Sequence, residues 1–316
     1  MSSLIEQAAK RLEQLREAGI TPELAAGAPR AVTAPSAEER VPAGARAPAD
    51  EPVQAAARRV ELDLDALARA GIVTPSAARS RIADQYRVVK RPLIRNAVGK
   101  GASTIAHGNL IMVTSALAGE GKSFTSVNLA MSIAAELDHT VMLVDADVAR
   151  PSVLRMLGLP PAPGLLDVLE QSDDLSNVLL RTNIDKLTLL PSGTPHPRAT
   201  ELLASDAMTQ LLAEISTRYA DRIVIFDSPP LLLTTEARVL ASHMGQVVVV
   251  VQAEKTSQSE VQNALATIEA CPVRLMLLNN ARSDTRDAYG YGYGYGYGSY
   301  GAEYRNKSTA SATGAA

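Results

Sequence analysis

The sequence predicts an α/β protein with a doubly wound, mostly parallel sheet. Three observations lead to that expectation. From Leu110 onward, apolar runs of strand length alternate with helical patterns. The runs are continuously apolar, as expected of strands covered on both faces. Acidic residues and a glycine-rich turn fall at the ends of the runs, where an open α/β sheet places its ligand site.

The expected strands are 110–114, 140–144, 187–190, 222–226, 246–251 and 273–278. Helical patterns between them cover 123–137, 152–157, 165–170, 205–218, 235–241 and 256–269, each with apolar residues at spacings of three and four. Two helical patterns precede the first strand. One spans 62–70 and is closed by Gly71; the other spans 76–89 and is expected to stop at Pro92. Within the second, Asp84, Arg87 and Lys90 recur every third residue and so fall near one face.

The first strand runs into LIMVTSALAGEGKSFTSVNL. This is the strand–glycine loop–helix order of a phosphate-binding loop, with Ala116 in the first position where Gly is commoner. The loop and helix start comprise Ala116, Leu117, Ala118, Gly119, Glu120, Gly121, Lys122, Ser123 and Phe124. Gly119 and Gly121 let successive N–H groups converge on a phosphate, and the helix N-terminus adds its positive end. Lys122 is expected at the β/γ-phosphates and the Ser123 hydroxyl on Mg²⁺. The fold is thus expected to be of the P-loop NTPase type.

Two further motifs supply carboxylates. The second strand ends VMLVDADVARP, with Asp145 and Asp147; the fourth ends IVIFDSPP, with Asp227. Mg²⁺ takes oxygen ligands and keeps several waters, so few carboxylates need touch it. Asp227 reads as an acid that holds the metal through water. Asp145 and Asp147 exceed what nucleotide hydrolysis requires. One is suited to take the proton of an attacking hydroxyl while the other helps hold metal. Asp145 is the preferred base and Asp147 the metal partner, and the reverse assignment is open. A turn or helix-capping role is the ordinary alternative for any one of them.

The flanks differ in character. Residues 1–20 read as an amphipathic helix and 21–60 as an Ala/Pro-rich linker with little to bury. Residues 61–282 form the expected domain, with a helical lead-in over 61–100. Residues 283–316 form a Tyr/Gly-rich tail, read as disordered, that carries Tyr289, Tyr291, Tyr293, Tyr295, Tyr297, Tyr300 and Tyr304. The formal net charge of −3, without a basic run interleaved with aromatics, argues against a nucleic-acid partner. The single cysteine, Cys271, reads as a buried structural thiol. No apolar run approaches the roughly 20 residues of a membrane span. A cytoplasmic protein is expected, with any link to the inner face of the membrane made through a partner.

With SALAGEGKS, VDADVARP, IVIFDSPP and the tyrosine cluster in place, the chain resembles bacterial tyrosine autokinases of the exopolysaccharide type. SLIEQAAKRLEQLREAG and RVVKRPLIRNA look like the soluble, exosortase-associated subgroup. The resemblance implies transfer of the ATP γ-phosphate to tail tyrosines of a neighbouring subunit. It implies ATP and Mg²⁺ as cofactors and a homo-oligomer, possibly a ring. It also implies a membrane polysaccharide co-polymerase or chain-length determinant as activator, and a tyrosine phosphatase. Carried over, Lys122, Asp145, Asp147 and Asp227 are catalytic, and Ser123, Asp147 and Asp227 serve the metal. Asp84, Arg87 and Lys90 match an oligomer-interface motif whose end positions are Glu and Arg, so both ends keep charge but not geometry.

The rival class is a deviant-Walker ATPase switch that recruits partners without phosphorylating tyrosine. It carries a signature lysine where this chain has Leu117, and it lacks a tyrosine tail. Asn279 is a candidate adenine contact or a turn residue. Arg150 is a candidate phosphate or subunit contact, or a surface ion-pair residue.

Overall fold

The computed structural model describes residues 58–75, 80–101 and 103–282. The amphipathic helix over 1–20, nearly all of the linker, the start of the 76–89 pattern and the tyrosine tail lie outside the described residues.

Chain order gives α1 (Leu64–Arg69), α2 (Arg81–Ala97), β1 (Leu110–Ser115), α3 (Lys122–Ala134), β2 (Thr140–Asp145), α4 (Val153–Met156), α5 (Leu165–Leu169) and α6 (Leu175–Val178). β3 (Leu180–Arg181), β4 (Leu187–Leu190), α7 (Ala199–Leu203), α8 (Asp206–Arg218), β5 (Arg222–Asp227), α9 (Glu236–Ser242), β6 (Gln246–Gln252), α10 (Gln258–Ala266) and β7 (Val273–Asn279) follow. The strands form one seven-stranded sheet in the order β3-β4-β2-β5-β1-β6-β7. All neighbours are parallel except β3 against β4. Every expected strand is present. The two-residue β3 and the short helices α6 and α7 went unseen, being too brief to show a period.

The apolar runs become intelligible once both faces are seen. Successive side chains of a strand point to opposite faces. Leu110 and Met112 of β1 join Met142, Val144, Val224 and Phe226 in one core, under α5 to α9. Ile111 and Val113 join Val141, Leu143, Ile223 and Ile225 in the other, under α1 to α3. Each fully buried side chain of this size contributes roughly 1.5–3 kcal/mol. β7 departs from the pattern. Its side chains alternate in burial, and Met276 and Leu278 are exposed on one face, so this edge strand is covered on one side only.

α3 is buried around almost its whole circumference, which places the start of the helix at the centre of the sheet's carboxyl edge. α2 packs over it and departs from expectation at its end. The helix continues through Pro92 to Ala97. Pro92 is exposed, and the carbonyl its missing N–H would have met belongs to Val88, which is 72% exposed, so water can satisfy it. Beyond the proline, Leu93 is buried and its carbonyl accepts from Gln246 Nε2 at 3.1 Å. Tertiary anchoring therefore outweighs the local breaker.

Lys90 also departs from its neighbours in the triplet. It is 5% exposed, donates to the Ser132 carbonyl at 2.5 Å and pairs with Glu136 at 2.5 Å, both at the far end of α3 or just beyond it. Asp84 and Arg87 remain at the surface and pair with each other. The ammonium of Lys90 is thus committed inside its own subunit, away from the other two. The linker also ends earlier than expected. Arg59 bridges Arg181, and the Val60 amide donates to the Arg181 carbonyl at 2.8 Å.

Gln246 holds the base of the sheet to α2. Its Nε2 donates to Leu93 O and to Gly108 O at 2.7 Å, and its Oε1 accepts from Asn96 Nδ2 at 2.9 Å. Replacing it by Leu orphans these groups. Gln246→Leu is expected to lower stability by about 2–4 kcal/mol, measured by urea unfolding.

Candidate active site

The site grows from three parallel strands ending side by side. β1 lies between β5 and β6, and β2 lies beside β5. β1 runs into the loop Ala116–Ser123 and the N-terminus of α3. Gly119 and Gly121 take positive φ of 86° and 94°. At Gly121 the positive φ calls for glycine, and a Cβ, coming within 2.1 Å of Asn279 Nδ2, would also push that side-chain amide aside. Asn279 at the end of β7 donates through that nitrogen to the Glu120 carbonyl at 2.9 Å.

Glu120, identified from sequence only as a loop member, holds the loop in shape. It is 2% exposed. Its Oε2 accepts from the Leu117 amide at 2.6 Å, and its Oε1 accepts from the Thr256 hydroxyl and, at 3.4 Å, from the Gln252 amide. The loop is thereby tied to the β6–α10 connection. Leu117 packs its side chain on the core, where the rival class would need a cation.

The acids occupy the ends of β2 and β5 as expected. Asp145 and Asp227 are register partners, both buried. Asp145 Oδ2 accepts from the Ser152 and Val153 amides at 3.0 Å each, capping α4, while its Oδ1 is buried with no partner. Asp227 Oδ1 accepts from the Ser126 hydroxyl at 3.0 Å, and its Oδ2 is likewise orphaned. Burial, then the charge of Asp227, pushes Asp145 up to about 7 against the pull of the two amides. Burial pushes Asp227 up to about 6, although Lys122 and the Ser123 and Ser126 hydroxyls pull it down. Asp147, two residues on, takes Lys122. Its Oδ2 lies 2.5 Å from Lys122 Nζ, and its Oδ1 accepts from the Arg150 amide at 3.2 Å. Arg150 itself is exposed.

The arrangement brings together Lys122, Ser123, Asp145, Asp147 and Asp227. Ser126 was missed. It lies three residues after Ser123, on the helix face turned toward β5, and that spacing was the available signal. Asp84 and Arg87 lie elsewhere, on the surface of α2. Among the described residues no three His, Cys, Asp or Glu side chains form a metal cage. The donor set nonetheless suits a hard cation that leans on a phosphate: one hydroxyl, Ser123, and two buried carboxylate oxygens without partners. Cys271 is buried, and burial raises its thiol, consistent with a structural role.

A glycine loop on a helix N-terminus, a lysine, and acids at adjacent strand ends define a P-loop NTPase-type protein, the class of nucleotide-binding folds. Comparisons with known proteins narrow this. Residues 108–280 match a family model described as an AAA domain. The tyrosine-protein kinase YwqD of Bacillus subtilis is 30% identical over 221 residues, covering 69% of this chain and 90% of that protein. The tyrosine-protein kinase wzc of Salmonella typhi is 30% identical over 177 residues, covering 55% of this chain and 24% of that protein. Among solved structures, the chimerical protein CapA2B2 matches with TM-score 0.55 and 26% identity, covering 67% of this chain and 97% of that one. The kinase domain of Escherichia coli tyrosine kinase ETK matches with TM-score 0.52 and 28% identity, covering 59% and 73%. The chain belongs to the bacterial tyrosine-kinase family and is an enzyme of that class. The described residues contain no helix long and apolar enough to cross a membrane.

The paired acids make stability pH-dependent in the metal-free protein. Both carboxyls keep protons in the folded state at pH values where the unfolded chain, with pKa 3.8, has released them. Their contribution is full at low pH and is lost as pH rises through about 6 and about 7. With chelator present, the urea midpoint is expected to fall between roughly pH 4 and roughly pH 7 and to level off above that. Asp145→Asn should flatten that fall.

Proposed function

We propose that this chain transfers the γ-phosphoryl group of ATP to tyrosines in the tail of a neighbouring copy. The expected acceptors lie among Tyr289, Tyr291, Tyr293, Tyr295, Tyr297, Tyr300 and Tyr304. The observation that carries the reading is the set of two buried, partly unpartnered carboxyls, Asp145 and Asp227, beside a phosphate loop whose lysine is already held by a third acid. Nucleotide hydrolysis alone does not call for that many acids.

In this reading the loop from Ala116 to Ser123 cradles the phosphates, and Lys122 exchanges Asp147 for the β/γ-phosphate oxygens. Asp145, whose pKa is pushed up to about 7, accepts the phenol proton as the tyrosine oxygen bonds to the γ-phosphorus and the bond to the β-phosphate oxygen breaks. Mg²⁺ would be held by Ser123, with Asp227 and Asp147 acting directly or through water, and would neutralise charge on the phosphates. A phenol has a pKa near 10, so positioning and charge stabilisation carry most of the rate. The kinase domain is assigned to 61–282 and the acceptor tail to 283–316. A homo-oligomer in which Asp84 and Arg87 contribute to the interface would bring tail and site together. A membrane polysaccharide co-polymerase would recruit and activate it in the control of exopolysaccharide chain length, and a tyrosine phosphatase would reset it.

Asp145→Asn is expected to lower tyrosine phosphorylation by about a hundredfold or more while nucleotide binding persists, read by phosphotyrosine mass spectrometry beside ADP titration. Full activity of that variant would remove Asp145 as the base. Each tail phosphate adds about −1.5 to −2 charges. Phosphorylated protein is therefore expected to elute as a smaller species than Lys122→Met on size exclusion, and equal sizes would remove the tail as an assembly switch.

A further inference from the structure

The end of the sheet opposite the phosphate loop holds a second cavity, of about 340 Å³. It opens where β2, β4 and β5 begin. β2 is six residues long, so this cavity lies roughly 17 Å from the catalytic acids at about 3.3 Å per residue. Arg59, Arg181, Lys186 and Arg222 line it, against a single carboxylate, Asp185. Two of the three donors of Lys186 are taken by the Glu136 and Leu137 carbonyls at 2.6 and 2.5 Å, so it contributes mainly charge. Arg59 and Arg181 are exposed, and their backbones are paired to each other's segment, which fixes where the two side chains emerge.

Thr140, the first residue of β2, and Arg222, the first residue of β5, also line the cavity, and their Oγ1 and Nε atoms are buried without a hydrogen-bond partner within the protein. The Arg222 guanidinium lies 4.7 Å from the centre of the Tyr219 ring, which holds it in place. A buried donor left unpaired costs free energy, and natural structures rarely tolerate it without a ligand, water or ion to satisfy it.

We propose that this cavity binds a phosphate monoester. The surplus of cationic groups suits a dianion better than a single carboxylate. The guanidinium forks of Arg59 and Arg181 match phosphate oxygens, and Arg222 adds a third guanidinium group to the lining. The volume exceeds that of a bare phosphate and accommodates a small organic body. The two strands that open this cavity, β2 and β5, are the two that end in Asp145 and Asp227. The site does not depend on the phosphoryl-transfer reading, because the ligand need not be a product of the enzyme.

The test uses the full chain with its phosphate loop saturated by ADP–Mg²⁺, so that a second site is read alone. Glucose 1-phosphate and O-phosphotyrosine are titrated separately by calorimetry, with benzoate as a monoanionic control. At least one monoester should bind with one-to-one stoichiometry and benzoate should not; which one binds separates a free metabolite from a modified tyrosine as the source. Arg59→Ser and Arg181→Ser, both at exposed positions that should not disturb folding, should each weaken binding by about tenfold, the worth of one charge-assisted hydrogen bond. Binding should also weaken as salt is raised. Absence of binding by both monoesters, affinity unchanged in the two variants, or binding only to anionic lipid vesicles would overturn the proposal.

Discussion

The burial of two carboxyl groups in register, Asp145 on β2 and Asp227 on β5, is the constraint around which the rest of the structure is arranged. Parallel strands bring their carboxyl ends to one edge, so acids that follow two apolar runs become neighbours in a region of low dielectric. Burial raises the proton affinity of both, and the charge of Asp227 raises that of Asp145 further. The surrounding groups answer that charge piecemeal: the α4 amides on one oxygen of Asp145, Ser126 on one oxygen of Asp227, and Lys122 on the adjoining Asp147. One oxygen of each buried acid is left over, and this surplus of acceptors invites a cation or a proton donor to the site.

The loop is held by a similar logic on the other side. A buried glutamate inside the loop, Glu120, accepts from the loop's own backbone and from the β6–α10 connection, so the cradle does not rely on glycine geometry alone. Asn279 closes over Gly121 from the last strand. The cradle therefore draws on β1, β6 and β7 together, elements that approach one another only when the sheet is assembled. On the opposite face of α3, the lead-in helix contributes Lys90 to its final turn and the segment beyond, joining the N-terminal helices to α3.

Much of this was legible from residue order. The strand–loop–helix at Leu110–Leu129 and the acids at Asp145, Asp147 and Asp227 are local patterns, and all lie where the pattern puts them. The charge triplet on α2 was not legible in the same way. A spacing of three puts Asp84, Arg87 and Lys90 near one face, yet a helix face can turn gradually from solvent to core. Lys90 reaches buried carbonyl and carboxylate partners on α3 while Asp84 and Arg87 stay outside. Pro92 misled for a related reason. Its local cost is real, but it falls on the solvent side of a helix anchored beyond it by Leu93 and Gln246.

The alternation of strands and helices, the glycine cradle and the acids at the ends of β2 and β5 could be read from residue order, because each rests on side-chain period or on backbone freedom within a few residues. Tertiary structure alone decided which partner each charge takes, that β7 leaves Met276 and Leu278 uncovered, and that cationic side chains from distant segments meet at the start of β2 and β5. Those outcomes depend on which segments become neighbours and how far water is excluded, and neither quantity is carried by any short stretch of the chain.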